Sequence, residues 1–351
     1  KSRGLGDVYK RQVLVPFSKK AFRAVNRWCA DTWWGWCVTG AERFNHTRVL
    51  FAGDDVPMRE NALLASNHQQ MPDITAIMNF AKTKDRLGDL KFFVKKQLKW
   101  VPGMGWGMQF LDCLFIDRDW SSDREKIRKT FARLVDGDVP VYLVSFVEGT
   151  RLTLPKLEAA RDYARQHEMY EPRHTLVPRT KGFVASVEGL RSHIDAVYDI
   201  TIGYEIGIPT LWQYIKGLVQ RIHVHVRRFE IDSLPESADG LRLWLLDRWE
   251  EKDELLEHFY QTGRFPTSSE QYTHATTRRL DRNFRFRISN FHPPRDRRQA
   301  QRLRPGGSGS LSRQLRRSAA VAATSVSSPR VEQSPCHRTH LIECLGGHHP
   351  T

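Results

Sequence analysis

Apolar residues follow two periodicities along the middle of the chain. Short apolar runs predict buried strands at 62–66, 90–94, 114–116 and 141–147, and stretches with helical spacing predict helices at 74–81, 123–135 and 156–167. Strict alternation predicts a later strand at 221–231, and an amphipathic pattern predicts a helix at 239–259. This order predicts an α/β fold with a central mixed sheet flanked by helices.

An amphipathic helix is predicted ahead of this region, at 18–38, with Ser18 as its N-cap. Tryptophan and basic side chains together favour the headgroup region of an anionic bilayer, so residues 13–50 are interpreted as membrane-associating, with an interfacial helix. The alternative is an ordinary helix that packs on the core. The apolar residues at helical spacing are Phe22, Val25, Cys29, Trp33 and Trp36.

The two ends of the chain differ in composition from the part between them. Residues 1–12 resemble a translated sequencing-adapter scar, so the native N-terminus, and any membrane helix within it, is expected to be missing. Residues 267–351 are rich in Ser, Arg, Gln and Pro, which indicates a disordered tail or a reading-frame artefact. The folded domain is therefore predicted at 51–266.

Positive charge is concentrated in this tail. The chain has a formal net charge of +15, of which residues 267–351 contribute +10 through 15 Arg against 5 Asp and Glu. The high isoelectric point therefore says little about the folded part, and nucleic acid is not an expected partner. A basic nucleic-acid-binding protein remains the alternative from another functional class. The 5 cysteines are unpatterned, and no apolar run is long enough to predict a membrane span.

The segment Asn-His-Gln-Gln-Met-Pro-Asp at 67–73 joins a predicted strand to a predicted helix, a junction where α/β proteins gather their sites. Pro72 suits the first helical turn, so the chain can bring the Asp73 carboxylate back to the His68 imidazole. The carboxylate would orient the ring, and His68 could then accept a proton from a hydroxyl. Taken alone, the two residues could also be unrelated.

Three further charged segments lie near predicted strand ends. In Phe-Val-Glu-Gly-Thr-Arg at 146–151, Gly149 permits close backbone approach and Arg151 offers a bidentate fork for phosphate. Arg118 ends the segment 114–118 and could contact an anionic substrate, and residues 177–182 form a basic loop that ends in glycine. Tight turns and surface ion pairs are the simpler alternatives.

Together and in this order, the segments resemble the 1-acylglycerol-3-phosphate acyltransferase family, whose hallmarks are Asn-His-x4-Asp and then Phe-x-Glu-Gly-Thr-Arg. The resemblance covers about residues 13–266 and includes Lys-Lys-x-Leu-x-Trp-Val-Pro-x-x-Gly-Trp at 95–106 and Ala-Val-Tyr-Asp-Ile-Thr at 196–201. Between these two hallmarks the family has a further block, whose arginine Arg118 matches. Asp112 stands where that block often begins with Gly, which leaves the acceptor preference open.

The resemblance implies that His68 is the general base and Asp73 its orienting partner, in an acyltransferase domain at 51–266. The residues implied to bind the acceptor are Arg118, Glu148, Gly149, Thr150 and Arg151.

The same resemblance implies transfer of a fatty acyl group from acyl-CoA or an acyl carrier protein to a lysophospholipid. The default acceptor is 1-acyl-sn-glycerol 3-phosphate, which gives phosphatidate, and a lysocardiolipin-like acceptor is the alternative. No cofactor besides the thioester co-substrate and no metal is implied. The expected location is a membrane surface, with the active site facing the cytoplasm, and the oligomeric state is left open.

Two weaker patterns concern metal binding. His223 and His225 share one face of a predicted strand, although a solvated strand face explains them more simply. Four residues in the tail stand four apart and superficially suggest zinc, but Gly346 and Gly347 break the helix that this spacing needs. No metal site is therefore predicted. The four tail residues are Cys336, His340, Cys344 and His348.

Overall fold

Strands and helices alternate through the residues that the computed structural model describes, which are 19–117, 119–266 and the backbone of Thr273–His274. The strands are β1 (Arg48–Gly53), β2 (Ala62–Ser66), β3 (Leu90–Lys95), β4 (Leu114–Ile116), β5 (Tyr142–Phe146), β6 (Ala196–Tyr204), β7 (Arg221–Glu230) and β8 (Thr273–His274). The helices are α1 (Lys19–Arg43), α2 (Pro72–Thr83), α3 (Met104–Phe110), α4 (Trp120–Asp136), α5 (Leu154–Gln166), α6 (Thr180–Leu190), α7 (Leu211–Ile215) and α8 (Ala238–Thr262).

The predicted strands and helices between 62 and 259 are all present, with ends shifted by no more than about three residues, the usual uncertainty of such boundaries. Strands β1, β6 and β8 and helices α3, α6 and α7 were not predicted as elements. Short 3₁₀ helices lie between other helices and strands, at Leu87–Asp89, Lys96–Trp100 and Ile231–Ser233.

One mixed sheet organises the described residues, in the strand order β4-β3-β5-β2-β6-β7-β1-β8. The five strands from β4 to β6 are parallel, with Leu64 of β2 opposite Val144 of β5 and Tyr198 of β6. Strand β7 runs antiparallel to β6, and β1 runs parallel to β7. The predicted central mixed sheet is therefore confirmed. Its parallel half brings the carboxyl ends of β2, β3, β5 and β6 to one edge, which we call the carboxyl edge.

Helices cover both faces of the sheet. Successive side chains of a strand point to opposite sides, so each strand contributes side chains to both covered faces. In β2, Leu64 belongs to a core cluster with Val38 of α1 and Ile77 of α2. Its neighbour Leu63 belongs to the opposite cluster, with Phe131 of α4 and residues of α6 and α8. This two-sided burial explains why β2 is buried at every position and apolar from Ala62 to Ala65, as a central parallel strand should be.

Helix α1 is present, with bounds that differ from those predicted. It ends at Arg43 rather than at residue 38, and Ser18 lies outside the described residues. The side that faces the core carries Ala30, Val38 and Ala41, which are buried. The predicted apolar side is exposed, with Trp33 and Trp36 at 60% and 69% of their full accessibility. Small side chains and the partly buried Trp34 thus pack against the core, while Trp33 and Trp36 point away from it.

Within the described ranges, no helix combines the length and apolar character needed to cross a bilayer. The interfacial role of α1 stays a prediction, as does the domain boundary at residue 266. Residues 1–12 and the rest of the tail, including the four spaced Cys and His residues, lie outside the described residues.

Two local expectations were wrong. Residues 177–182 are not a loop throughout, because α6 begins at Thr180 and places Gly182 in its first turn. His223 and His225 do not lie on a solvated strand face: both are buried, and their rings pack against Phe259 and Phe265 at 5.0 and 5.6 Å between centroids.

Candidate active site

The loop after β2 is fixed at the carboxyl edge by its first residue. The Asn67 side chain is fully buried and bonds both main-chain groups of one residue of β6, Ile202. Its Nδ2 donates to the Ile202 carbonyl at 2.9 Å, and its Oδ1 accepts from the Ile202 N–H at 2.8 Å. A buried amide whose donor and acceptor are both used holds a chain segment rigidly. Asn67 therefore orients the residues that follow it.

His68 and Asp73 are brought together as predicted. Helix α2 begins with Pro72, and Asp73 lies in its first turn, where the helix dipole stabilises a carboxylate. The Asp73 Oδ2 atom lies 2.9 Å from His68 Nδ1 and accepts from the Gln70 N–H at 2.9 Å. A carboxylate at Nδ1 selects the tautomer with its proton on that atom. The lone pair of Nε2 is then available to accept a proton.

Tyr204 is a third member of this group and was not predicted from the sequence. Its hydroxyl donates to Asp73 Oδ1 from the end of β6. Burial, followed by the neighbouring Asp73 charge, raises the pKa of Tyr204 well above its ordinary value, so the hydroxyl remains a donor. Asp73 is thus completely buried and held by groups on both oxygens. The available signal was only a tyrosine at the end of an apolar run.

The segment after β5 packs directly on the histidine loop. The Phe146 and His68 rings stack with centroids 4.1 Å apart. The Leu152 N–H donates to the His68 carbonyl at 2.8 Å, and Arg151 Nη1 donates to Gln70 Oε1 at 2.8 Å. The two predicted motifs therefore form one site, although about 80 residues separate them along the chain.

Gly149 has a conformational reason to be glycine. Its φ is +69°, and a Cβ atom there would lie 2.8 Å from Arg179 Cδ. A side chain would thus be strained by its own backbone and would displace Arg179. The Arg179 N–H also donates to the Val147 carbonyl at 2.7 Å. The predicted basic segment at 177–182 consequently adjoins the segment at 146–151.

Thr150 and Glu148 have different surroundings. Thr150 accepts a hydrogen bond from Lys156 Nζ at 2.7 Å near the surface. Glu148 is buried, and its burial raises its pKa well above the ordinary value, which the N–H groups of His68 and Leu176 only partly oppose. The structure places the Glu148 carboxyl group inside the protein, so its predicted contact with an acceptor stays a prediction.

A cleft of about 710 Å³ lies beside the segment 146–150. Its lining combines apolar side chains, among them Phe93, Ile116 and Trp120, with the cations of Lys156, Arg179 and Lys181. A volume of this size can hold a small organic ligand, and the mixed lining suits a molecule with an apolar part and an anionic part. His68 does not line this cleft, but its ring stacks on Phe146, which does. Arg118 lies outside the described residues.

Across residues 19–117 and 119–266, histidine, cysteine and carboxylate side chains form no group of three that could hold a metal ion. Chemically, the site offers one oriented imidazole, a well-supported carboxylate and nearby cations. Such a set can remove a proton from a hydroxyl and hold an anionic group.

Comparison with known proteins places these features in a family context. A family model described as Acyltransferase matches residues 37–205, and another, described as Acyltransferase C-terminus, matches residues 213–287. The chain is 36% identical over 265 residues to 1-acyl-sn-glycerol-3-phosphate acyltransferase 2 of Arabidopsis thaliana, covering 74% of this chain and 68% of that protein. It is 34% identical over 244 residues to lysocardiolipin acyltransferase 1 of Mus musculus, covering 68% of this chain and 65% of that protein. It is 31% identical over 265 residues to 1-acyl-sn-glycerol-3-phosphate acyltransferase delta of Pongo abelii, covering 72% and 68%.

Proposed function

Because the chain belongs to the acyltransferase family and is an acyltransferase, we propose that it acylates the free hydroxyl of 1-acyl-sn-glycerol 3-phosphate to give phosphatidate. The observation that carries the proposal is the His68–Asp73 pair at 2.9 Å, held at the carboxyl edge beside a cleft with basic side chains. Relatives that carry this acceptor in their names support the choice, and a lysocardiolipin acyltransferase among them supports lysocardiolipin as the alternative.

In the proposed reaction, His68 Nε2 takes the proton from the acceptor hydroxyl as its oxygen attacks the thioester carbonyl of acyl-CoA or an acyl carrier protein. Asp73 stabilises the imidazolium that forms. The tetrahedral intermediate collapses with cleavage of the C–S bond, and the imidazolium returns its proton to the departing thiolate. An ester and a free thiol result, and the enzyme forms no covalent intermediate.

Arg118 and Arg151 are proposed to hold the acceptor phosphate. Guanidinium groups donate two parallel hydrogen bonds to phosphate, a geometry that lysine cannot reproduce. The bond from Arg151 to Gln70 places this arginine next to the histidine loop, which supports its part in the proposal. Arg118→Lys should therefore raise the KM for the lysophospholipid more than the KM for the thioester. An increased thioester KM alone, or a lower melting temperature with unchanged kinetics, would remove Arg118 from the acceptor site.

The reaction is proposed to occur at a membrane surface, with the active site on the cytoplasmic side. The experiment that tests the function is an acyl-transfer assay of the purified protein with lysophosphatidate, lysocardiolipin and lysophosphatidylglycerol, each with acyl-CoA and with acyl carrier protein. The highest kcat/KM is expected with lysophosphatidate. A preference for lysocardiolipin would replace the acceptor, and absence of transfer to every acceptor would contradict the proposed function.

A further inference from the structure

Large apolar side chains are exposed in the connections that follow the parallel strands at the carboxyl edge. Residues 96–106, here the β3 segment, carry four of them: Trp100, Val101, Met104 and Trp106. Residues 205–218, here the β6 segment, carry six: Ile206, Ile208, Leu211, Trp212, Ile215 and Leu218. Met71, three residues after His68, is exposed between them. The opposite edge differs, because among the described residues its connections into β2, β3, β5 and β6 expose a single large apolar side chain, Met58.

The sheet order puts the candidate base between these two segments. The order β3-β5-β2-β6 places the end of β2, with His68, two strands from β3 and next to β6. The β6 segment begins directly after Tyr204, which bonds to Asp73, and its Tyr214 hydroxyl donates to Thr75 Oγ1 at 3.0 Å. The exposed side chains are thus held close to the catalytic loop by specific contacts.

Each segment is anchored from within, so its exposed residues are presented by an ordered backbone. In the β6 segment, Thr210 and Gln213 form a capping box at the start of α7. The Asn45 side chain, just beyond α1, donates to the Tyr214 carbonyl at 3.1 Å. In the β3 segment, Leu98 packs against the core while Trp100 is 75% exposed. The outward tryptophans therefore do not result from an unfolded loop.

Basic side chains accompany the apolar ones. Lys216 lies over the Trp212 ring, 5.1 Å from its centroid. Lys99 is exposed within the β3 segment, and Lys95 is exposed directly before it. Tryptophan and lysine side by side suit the boundary between headgroups and acyl chains, where the ring is partly buried and the ammonium group meets lipid phosphate. In water, by contrast, the exposed isoleucine and leucine side chains have no favourable contact of this kind.

We propose that the β3 and β6 segments dock on the surface of an anionic lipid bilayer and hold the active-site edge against it. This inference rests on the proposed function in one respect, namely that the acceptor is a lipid that reaches His68 from the bilayer. Docking by these segments is separate from the predicted role of α1, since it places membrane contacts on both sides of the catalytic loop.

The test uses the full chain and vesicles of phosphatidylcholine with phosphatidic acid, with pure phosphatidylcholine vesicles for comparison. Two double variants, Trp212→Ser with Ile215→Ser and Trp100→Ser with Trp106→Ser, each remove exposed side chains from one segment. The matched control is Met58→Ser with Leu243→Ser, which removes comparably exposed side chains from the opposite edge and from α8 (59% and 52%). Flotation and melting temperature are measured for each protein.

Each segment variant should show a vesicle partition coefficient lower by about tenfold or more, because two large apolar side chains no longer enter the interface. The control should float like the parent chain. Acyl transfer to vesicle-embedded lysophosphatidate should fall in parallel, while kcat/KM for a short-chain, monomeric lysophosphatidate should stay within about twofold. All proteins should melt at similar temperatures.

Flotation of both segment variants equal to that of the parent would overturn the proposal. So would a loss of transfer to the monomeric acceptor in a folded variant, because the segments would then act in catalysis. A parent that is dimeric, with monomeric variants of unchanged flotation, would identify the surface as a contact between two copies of the chain. If the parent acylates neither acceptor, the proposed function fails, whereas flotation still decides whether the segments dock.

Discussion

Two of the histidine–carboxylate pairs among the described residues have similar distances and different surroundings. His68 Nδ1 lies 2.9 Å from Asp73, and His223 Nε2 lies 2.6 Å from Glu205. In the first pair the carboxylate is fully buried and the imidazole keeps 14% of its accessibility. In the second the order is reversed, with 28% exposure for the carboxylate and 4% for the imidazole. Burial lowers the pKa of His223, which opposes its protonation.

The difference shows what turns such a contact into a candidate base. At His68 the inner nitrogen meets the carboxylate, so the outer nitrogen can face a substrate. At His223 the Glu205 carboxylate is hydrogen-bonded to Nε2, and the ring packs against Phe259 of α8. A short distance between an imidazole and a carboxylate is therefore not enough to identify a candidate general base. Two further features favour His68 as a general base: its ring lies at a strand end, and the carboxylate does not contact its Nε2 atom.

Removal of the two imidazoles should give the largest contrast. His68→Ala should lower kcat by about 10²–10⁴-fold, because a positioned general base contributes that much. His223→Gln should keep kcat within a few fold in the protein that remains folded. Kinetics and circular-dichroism melting on both variants measure this. Near-normal turnover in folded His68→Ala would contradict the mechanism.

The carboxylates give the next contrast. Asp73→Asn should lower kcat by about 10²-fold or more, since the amide can donate to His68 Nδ1 and favour the wrong tautomer. Glu205→Gln makes the same chemical change beside the other histidine and should leave turnover nearly unchanged. Its effect on stability should be about 0–1 kcal/mol, as for other partly exposed pairs. Equal losses of turnover in the two variants would abolish the distinction between the pairs.

The support given to Asp73 by Tyr204 can be removed separately. Tyr204→Phe should reduce kcat by about tenfold, because a hydrogen bond to a charged group is lost next to the proposed catalytic pair. Tyr198→Phe serves as the control. Tyr198 lies on the same strand, and its buried hydroxyl donates to Glu60 and not to Asp73. Both variants should lose some thermal stability, but only Tyr204→Phe should lose turnover. A parallel loss of turnover in both would reduce Tyr204 to a structural residue.

Glu148 offers the smallest effect, on stability as a function of pH. Its folded pKa is raised by burial, so the folded protein retains this proton more tightly than the unfolded chain does. Stability should consequently fall as pH rises from the ordinary glutamate pKa through the folded pKa. Glu148→Gln removes that titration, so its melting temperature relative to the parent should rise with pH. A difference that does not change with pH would show that Glu148 does not titrate in this range.

Periodicity predicted most elements of the fold, because alternation and helical spacing are local properties that burial on a sheet imposes directly. For α1 the helical spacing did not decide between an interfacial and a core-packed helix. The structure shows that Ala30 and Val38 are buried while Trp33 and Trp36 are exposed, and the interfacial role stays a prediction. His223 was misplaced because alternation does not tell which face the end of α8 covers.

At the candidate site, the sequence by itself determined the His68–Asp73 contact, because a strand end, Pro72 and one helical turn are enough to close five residues on themselves. It also determined that Gly149 should be glycine, although the neighbour that requires it, Arg179, lies 30 residues away. Only the tertiary structure decided that Tyr204 supports Asp73 and that Phe146 stacks on His68. Those contacts depend on which strands are neighbours and in what register. Strand order is set by the packing of the whole sheet, and no local pattern of residues encodes it.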